Sequence, residues 1–390
     1  MKILHLPHGY WPATGGAERL TEGWSDGLAV RGHAVQVSVA DLATPEGLYR
    51  FGIAPTGHPD ESHNGVVIHR IGLDQSYRIG GAFFRRDPYA PGAAGDRIRR
   101  RIRDRLTTAL RSEIEQFDPD VVLTLPHLFE NVRVVFDLHR DMGFPLVWAP
   151  LLHESDPNWP FDEVRDMLGS ADALIAMTPS EATRLISGYS ADPTRVHIVP
   201  PGVTVDSVSP EAIDGPPTVL YLGRVDHAKG LEILPKTMST IWEHLPEARL
   251  VIAGAATPDS PQIQSTFDSI DAPTEQSVVF YEDISEEEKQ QLLRSATVLV
   301  LASERESFGI VLLEAWASAT PVVVADSPVM RDTVNDGVDG VLVSAGDDQS
   351  FAEALLRCLE DPAGSRAMGL AGYEKTRNEY SWASAAGRLE

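Results

Sequence analysis

The chain of 390 residues is long enough for two domains with separate cores, and its 43% hydrophobic content is that of an ordinary α/β protein. Its 33 basic and 57 acidic residues give a formal charge of −24, which argues against general nucleic-acid binding. No apolar run reaches the roughly 20 residues of a membrane span, and the single Cys358 excludes an intrachain disulfide and a cysteine-based zinc site.

Lys2 to Leu6 predicts a first strand, followed by a loop from His8 to Gly16. A helix from about Ala17 to Arg31 carries Leu20, Trp24, Leu28 and Ala29 at helical spacing, and Gly32 ends it. Ala34 to Ala40 is the next strand. The turn Gly15-Gly16-Ala17-Glu18 therefore stands between strand and helix, where open parallel sheets bind ligands. It is not the G-x-G-x-x-G fingerprint of a dehydrogenase, and the same glycines also suit a plain helix start. Val66 to Ile71 predicts a further strand, and residues 80–95 a loop rich in Gly, Pro and aromatics. Asp96 to Gln116 is amphipathic, with Ile98, Ile102, Leu106, Leu110 and Ile114 on one face.

Four more parallel-type strands follow at Val121–Leu125, Leu146–Ala149, Ala173–Ala176 and Val196–Val199. His153 falls just past the second of these, at the crevice edge of the sheet, either as a loop hydrogen-bonder or as a reacting group. Residues 201–216 are rich in Pro, Gly and Ser and read as a linker. Beyond it come a strand at Thr218–Gly223, then Arg224 and Lys229, two cations placed directly after a strand end. They suit a diphosphate, or an ordinary surface loop. Strands at Leu250–Ala253, Val278–Tyr281 and Gly337–Val343 and a helical stretch from Gln349 to Asn378 complete the second half; Cys358 sits on the core face of that helix with Leu355 and Leu359.

The stretch from Thr297 to Asp326 is strand, loop, helix, strand, and implies a parallel sheet. If its helix starts near Gly309, the amides of Gly309, Ile310 and Val311 carry the positive end of the helix dipole. Glu314 lies roughly 7–8 Å further along at 1.5 Å per residue, about the span from a diphosphate to its ribose. A carboxylate can accept from two neighbouring hydroxyls, and Glu306 would face the other end of such a ligand. Acidic residues also favour first helical turns for dipole reasons alone.

The segment E-S-F-G-I-V-L-L-E, with the later T-P-V-V-V, closely resembles the E-x₇-E signature of family-4 glycosyltransferases of the GT-B fold. G-R-V-D-H-A-K-G resembles that family's G-R-x₃₋₅-K-G motif, and G-G-A-E its N-terminal glycine loop. The resemblance implies an α/β protein of two Rossmann-like domains with parallel sheets facing a central cleft. Their bounds would be 1–200 on the acceptor side and 217–369 on the nucleotide-sugar side, with a helix over 370–390 crossing back. It implies a donor site of Gly15, Gly16, Arg224, Lys229, Glu306, Phe308, Gly309, Ile310, Val311 and Glu314, with His153, Glu306, Arg224 and Lys229 nearest the reaction. Glycines usual in the family are replaced by Glu282 and Ala319, and Gly254 stands without a second glycine, which leaves the donor base open.

The implied function is retaining transfer of a sugar from a UDP- or GDP-sugar to a carbohydrate or lipid-linked acceptor, without a cofactor. No metal is expected, since Asp118-Pro119-Asp120 precedes a buried strand and reads as punctuation. A nucleotide-sugar epimerase of the same fold and a non-catalytic sugar-nucleotide-binding protein are the alternatives. A cytoplasmic location is expected by default, as MKILHLPHGYW lacks a signal-peptide core. Residues Arg85 to Arg111 hold nine Arg and three Asp, either a solvated basic face or a surface that meets anionic lipid.

Overall fold

Runs that are apolar at every position, such as Val298–Leu301 and Val322–Ala325, must bury both faces, and a parallel sheet covered by helices on each side allows this. Every residue of both runs is buried. The computed structural model describes residues 1–12, 15–40, 61–71, 93–126, 129–152, 161–205 and 215–390. The chain divides into two compact units, Met1–Pro200 with Ala385–Glu390, and Pro201–Ser384.

In the first unit the strands are β1 (Lys2–His5), β2 (Ala34–Ala40), β3 (Glu61–His63), β4 (Val66–Ile71), β5 (Val121–Thr124), β6 (Leu146–Trp148), β7 (Ala173–Ala176) and β8 (Val196–Ile198). Their order is β3-β4-β2-β1-β5-β6-β7-β8, parallel except for the antiparallel β3–β4 pair. Helix Ala93–Phe117 buries Leu106, Leu110 and Ile114 against Val122, Phe136 and Trp148, so these three residues of the predicted stripe face the core; the side chains of Ile98 and Ile102 lie outside those described. Hydrophobic pattern does not predict β3. Its residues Glu61, Ser62 and His63 are polar, and it forms because Asn64 and Gly65, at φ 49° and 85°, turn the chain back onto β4.

The second unit holds β9 (Thr218–Leu222), β10 (Arg249–Gly254), β11 (Val278–Glu282), β12 (Val298–Leu301), β13 (Val322–Ala325) and β14 (Gly340–Val343). All pairs are parallel, in the order β11-β10-β9-β12-β13-β14. Strand order reverses between β1 and β5 in one sheet and between β9 and β12 in the other. At such a reversal the loops leaving the carboxyl ends of the two strands diverge and open a crevice.

One expected element divides. The stretch Gln349–Asn378 is two helices, Asp348–Glu360 and Pro362–Glu379, because Pro362 cannot continue the first and takes the first position of the second. Asp361 caps the new start through Gly364 N at 2.9 Å. A separate helix, Trp382–Leu389, follows, and its Ala386 packs with Leu28, Val35 and Val37 of the first unit. Ala319 takes φ 53°, the left-handed region that favours glycine, and Gly369 meets its carbonyl so closely that a Cβ there would lie 2.0 Å from the oxygen.

Candidate functional site

Two loops meet at the β9/β12 reversal. After β9 the chain passes Gly223, and the buried Tyr221 hydroxyl donates to Arg224 O at 2.6 Å, holding the turn down. Burial pushes the Tyr221 phenol up, with the charge of Glu306 second, so it stays a donor. A short turn, His227–Lys229, then ends at Gly230 with φ 69°. A Cβ at Gly230 would come 2.7 Å from Ala302 O, so only glycine lets this turn lie against the end of β12. That close approach puts Lys229 beside the second loop. Lys229 Nζ donates to Glu306 Oε1 at 2.7 Å, and Ser303 Oγ donates to the same oxygen at 2.6 Å. The lysine and glutamate side chains are 20% and 11% exposed, which strengthens their attraction over that of a surface pair. Arg224 Nη2 lies 2.8 Å from Asp226 Oδ2 and keeps 44% of its side chain exposed.

The loop from Ser303 ends in Gly309, whose φ of 82° starts helix Ile310–Ala317 from a left-handed residue. Phe308 is buried, its ring edge-on to Tyr380 at 5.9 Å. The first amides of the helix, at Ile310 and Val311, have no intrahelical acceptor and carry the positive dipole end. Glu314 stands on the following turn. It is held by a residue absent from the sequence-predicted set: Lys289 Nζ donates to Glu314 Oε1 at 2.6 Å, from helix Glu286–Ser295. Composition carries the one signal that points there. The chain has only five lysines, and two of them engage the two glutamates of the E-x₇-E segment.

The structure therefore brings Lys229 to Glu306 and leaves Gly309, Ile310 and Val311 at the head of the helix that carries Glu314. Among the described residues of this unit no three His, Cys, Asp or Glu side chains converge as metal ligands. Arg224, Lys229 and Lys289 are cations suited to anionic groups.

Gly15 and Gly16 belong to the first unit. Gly15 has an ordinary extended backbone, and its need for glycine comes from the buried Glu18, whose Oε2 would lie 2.0 Å from a Cβ. Gly16 has open space around it. His153 lies outside the described residues. The amide of the preceding Leu152 donates to Glu181 Oε1 at 2.9 Å, and Met177 N donates to Oε2 at 2.8 Å. Burial pushes the Glu181 carboxyl up to about 7 against these two bonds. At the β1/β5 reversal, His8 stacks on Phe129 with ring centres 3.4 Å apart, and burial pulls its imidazole down to about 4.

Sequence comparison matches residues 205–375 to the family described as glycosyl transferases group 1, and residues 14–207 to Glycosyltransferase Family 4. A D-inositol 3-phosphate glycosyltransferase of Xylanimonas cellulosilytica is 33% identical over 57% of this chain and 57% of its own length. The chain thus spans little more than half of that relative. One of the same description from Thermobifida fusca is 31% identical over 70% of each chain. Among solved structures, a sucrose-phosphate synthase from Thermosynechococcus elongatus superposes with a TM-score of 0.77 at 20% identity, covering 100% of this chain and 97% of that one. Anabaena HepE in complex with UDP and glucose gives 0.74 at 18% identity, covering 100% and 98%. With the two profile matches running from residue 14 to residue 375, the chain belongs to the family-4, group 1 glycosyltransferases, and it has their GT-B fold.

Proposed function

We propose that the chain transfers a sugar from a nucleotide diphosphate sugar, with UDP as the first candidate nucleotide, to a hydroxyl acceptor with retention at the anomeric carbon. The observation that carries this reading is the Lys229–Glu306 contact beside the head of helix Ile310–Ala317, at a strand-order reversal. The unit of residues 217–369 takes the donor and residues 1–200 the acceptor, with 370–390 returning to the latter. Arg224, Lys229 and the amides of Gly309, Ile310 and Val311 take the diphosphate, on which charge grows as the glycosidic bond breaks. Gly15 and Gly16 offer backbone amides to the same phosphates, and Phe308 holds the loop. Glu314 accepts from the ribose hydroxyls, and Glu306 from a hydroxyl of the donor sugar.

Retention fits the absence of a poised carboxylate pair among the described residues here. Glu306 is committed to Lys229 and Ser303, so the leaving phosphate oxygen takes the acceptor's proton on the same face. His153 stands with the reacting groups in this reading. UDP is preferred to GDP because HepE, of the same fold, is described with UDP-glucose. The relatives' description makes a phosphorylated cyclitol the first acceptor to try, ahead of a lipid-linked one.

A thermal-shift series with UDP, GDP and ADP selects the base, since a ligand of the native state raises its melting temperature. UDP-glucose turnover with and without inositol phosphate, followed by NMR of the product anomer, then tests the chemistry. Donor conversion without acceptor would mean an epimerase, an inverted product would end the retaining reading, and nucleotide binding without any turnover would leave a binding protein.

Attachment to the inner, anionic membrane face is the second reading. No described helix is long and apolar enough to cross a membrane. Arg100 is exposed on helix Ala93–Phe117, but Arg103 is paired with Glu130 and Asp137, and Arg111 with Asp141, so part of the basic charge is neutralised within the fold. Sedimentation with phosphatidylglycerol vesicles at low salt, wild type against Arg100→Glu, decides it: equal pelleting or none ends the membrane reading.

A further inference from the structure

The loops that leave the carboxyl ends of β6 and β7 are bridged by one carboxylate, that of Glu181. The local sequence gives it a simpler task. Thr178-Pro179-Ser180-Glu181 reads as a capping box at the start of helix Pro179–Tyr189, in which the glutamate reaches back to the Thr178 amide. Half of the box forms, since Thr178 Oγ1 accepts from Glu181 N at 3.1 Å. The carboxylate goes elsewhere. Oε2 accepts from Met177 N at 2.8 Å, one residue before the cap, and Oε1 from Leu152 N at 2.9 Å, 29 residues away on the neighbouring loop.

Two unfavourable features meet at this contact. Glu181 is buried, and burial opposes the ionisation that lets both of its oxygens accept. Leu151, directly before the Leu152 amide, takes φ 51°, a left-handed backbone that is strained for a bulky side chain. The strands do not depend on either feature, since β6 and β7 already pair through Val147–Ala173 and Trp148–Leu174. Strain of this kind persists only where the surroundings over-determine it, and it gathers at functional sites. The residue after Leu152 in the sequence is His153.

We propose that Glu181 is a positioning residue for sugar transfer, whose grip on the Leu152 and Met177 amides fixes the direction in which the chain enters His153. This role rests on the reading in which His153 stands with the reacting groups. Both hydrogen bonds are accepted by the carboxylate, so a side chain with a single acceptor atom cannot make them together. A small misplacement of a reacting group slows a reaction strongly. Lys229, Glu306 and Glu314 belong to the other unit and are held by their own contacts, so donor binding does not depend on the grip.

The full chain and two variants are compared with UDP-glucose and inositol phosphate as substrates. Glu181→Gln keeps the shape of the side chain but offers one acceptor oxygen, so hydrogen exchange at the Leu152 amide becomes faster. Its kcat is expected to fall by about tenfold or more, with KM for UDP-glucose and affinity for UDP unchanged. Thr178→Ala controls for plain stability. It removes the cap of the same helix and leaves the carboxylate grip, so its melting temperature falls while kcat stays within about twofold of wild type. Should Glu181→Gln fail to fold, Glu181→Asp, which keeps the carboxylate but is one methylene short of spanning both amides, carries the same comparison. Unchanged kcat in the Glu181 variant overturns the proposal, as does unchanged exchange at Leu152. An equal loss of kcat in Thr178→Ala also overturns it and makes Glu181 a part of the helix start. A raised KM for UDP-glucose at full kcat does so too, by moving the effect to donor binding. A wild type that transfers no sugar ends the underlying reading, and this role with it, whatever the exchange at Leu152.

Discussion

At the β9/β12 reversal the facing loops meet through Lys229 and Glu306, 2.7 Å apart; at β1/β5 they meet through His8 and Phe129, stacked at 3.4 Å. Both sheets reverse their strand order at this point, and the reversal dictates where a crevice opens. What fills it differs. The second unit lines its crevice with ions and a helix dipole, which stabilise charge. The first lines its own with the stacked rings of His8 and Phe129, the histidine held by burial down to about 4. Two sheets that reverse their strand order alike thus line the reversal differently, one with an ion pair beside a helix start and the other with stacked rings.

Removing the ion at the centre of the second crevice is the strongest way to break this contrast. Lys229→Ala is expected to lower kcat by about 10²–10³, or about 2.7–4 kcal/mol, with little change in KM, because the lysine acts most on charge that develops in the transition state. Steady-state kinetics with UDP-glucose checks it, and a pure KM effect would reduce Lys229 to ground-state binding. Arg224→Ala should act in the same sense but by about tenfold, since a more exposed cation is better screened.

Nucleotide affinity comes next. Glu314→Ala should weaken UDP binding by about 1.5–3 kcal/mol, the worth of a hydrogen bond to a charged acceptor, and Lys289→Ala by less, since it only orients Glu314. Titration calorimetry measures both. Unchanged affinity in Glu314→Ala would take that residue out of the site.

The first crevice sharpens the comparison through pH. His8 and His5 are held by burial at about 4 and about 3, so below the ordinary value of 6.5 the unfolded chain binds protons that the folded chain does not. Their contribution is complete above about pH 6.5 and falls as pH drops toward 4. Glu181, raised to about 7, has the opposite sign: its contribution is complete below 4.5 and is lost as pH rises through 7. With two histidines against one glutamate, the three groups together should lose about 1 kcal/mol of stability per pH unit on acidification between about 6.5 and 4.5. His8→Phe keeps a ring on Phe129 and removes one proton, so its melting temperature should fall less steeply with acid. Identical slopes in the two proteins would show that His8 titrates normally.

Much of this was legible along the chain, because strands and helices follow from short-range hydrophobic period. The apolar runs predict β12 and β13 correctly, and the stripe of Leu106, Leu110 and Ile114 predicts a buried helix face. Glycines flag the turns at Gly230 and Gly309, where positive φ and close contact leave no room for a side chain. Two features were missed for local reasons: β3 is polar, and Pro362 cuts a pattern that otherwise runs on as helix.

By itself the sequence determined the elements, the acidic balance and the motif residues, all of which depend on neighbours within a few positions. Only the tertiary structure decided which of those residues touch. Lys229 and Glu306 are 77 residues apart, and Lys289 and Glu314 are 25 apart; no periodicity links either pair. Lys229 and Glu306 meet because strand order places β9 beside β12, and strand order is settled by how helices and sheet bury apolar area together rather than by any local pattern. Once β9 and β12 are neighbours, side-chain reach closes the 2.7 Å contact between Lys229 and Glu306.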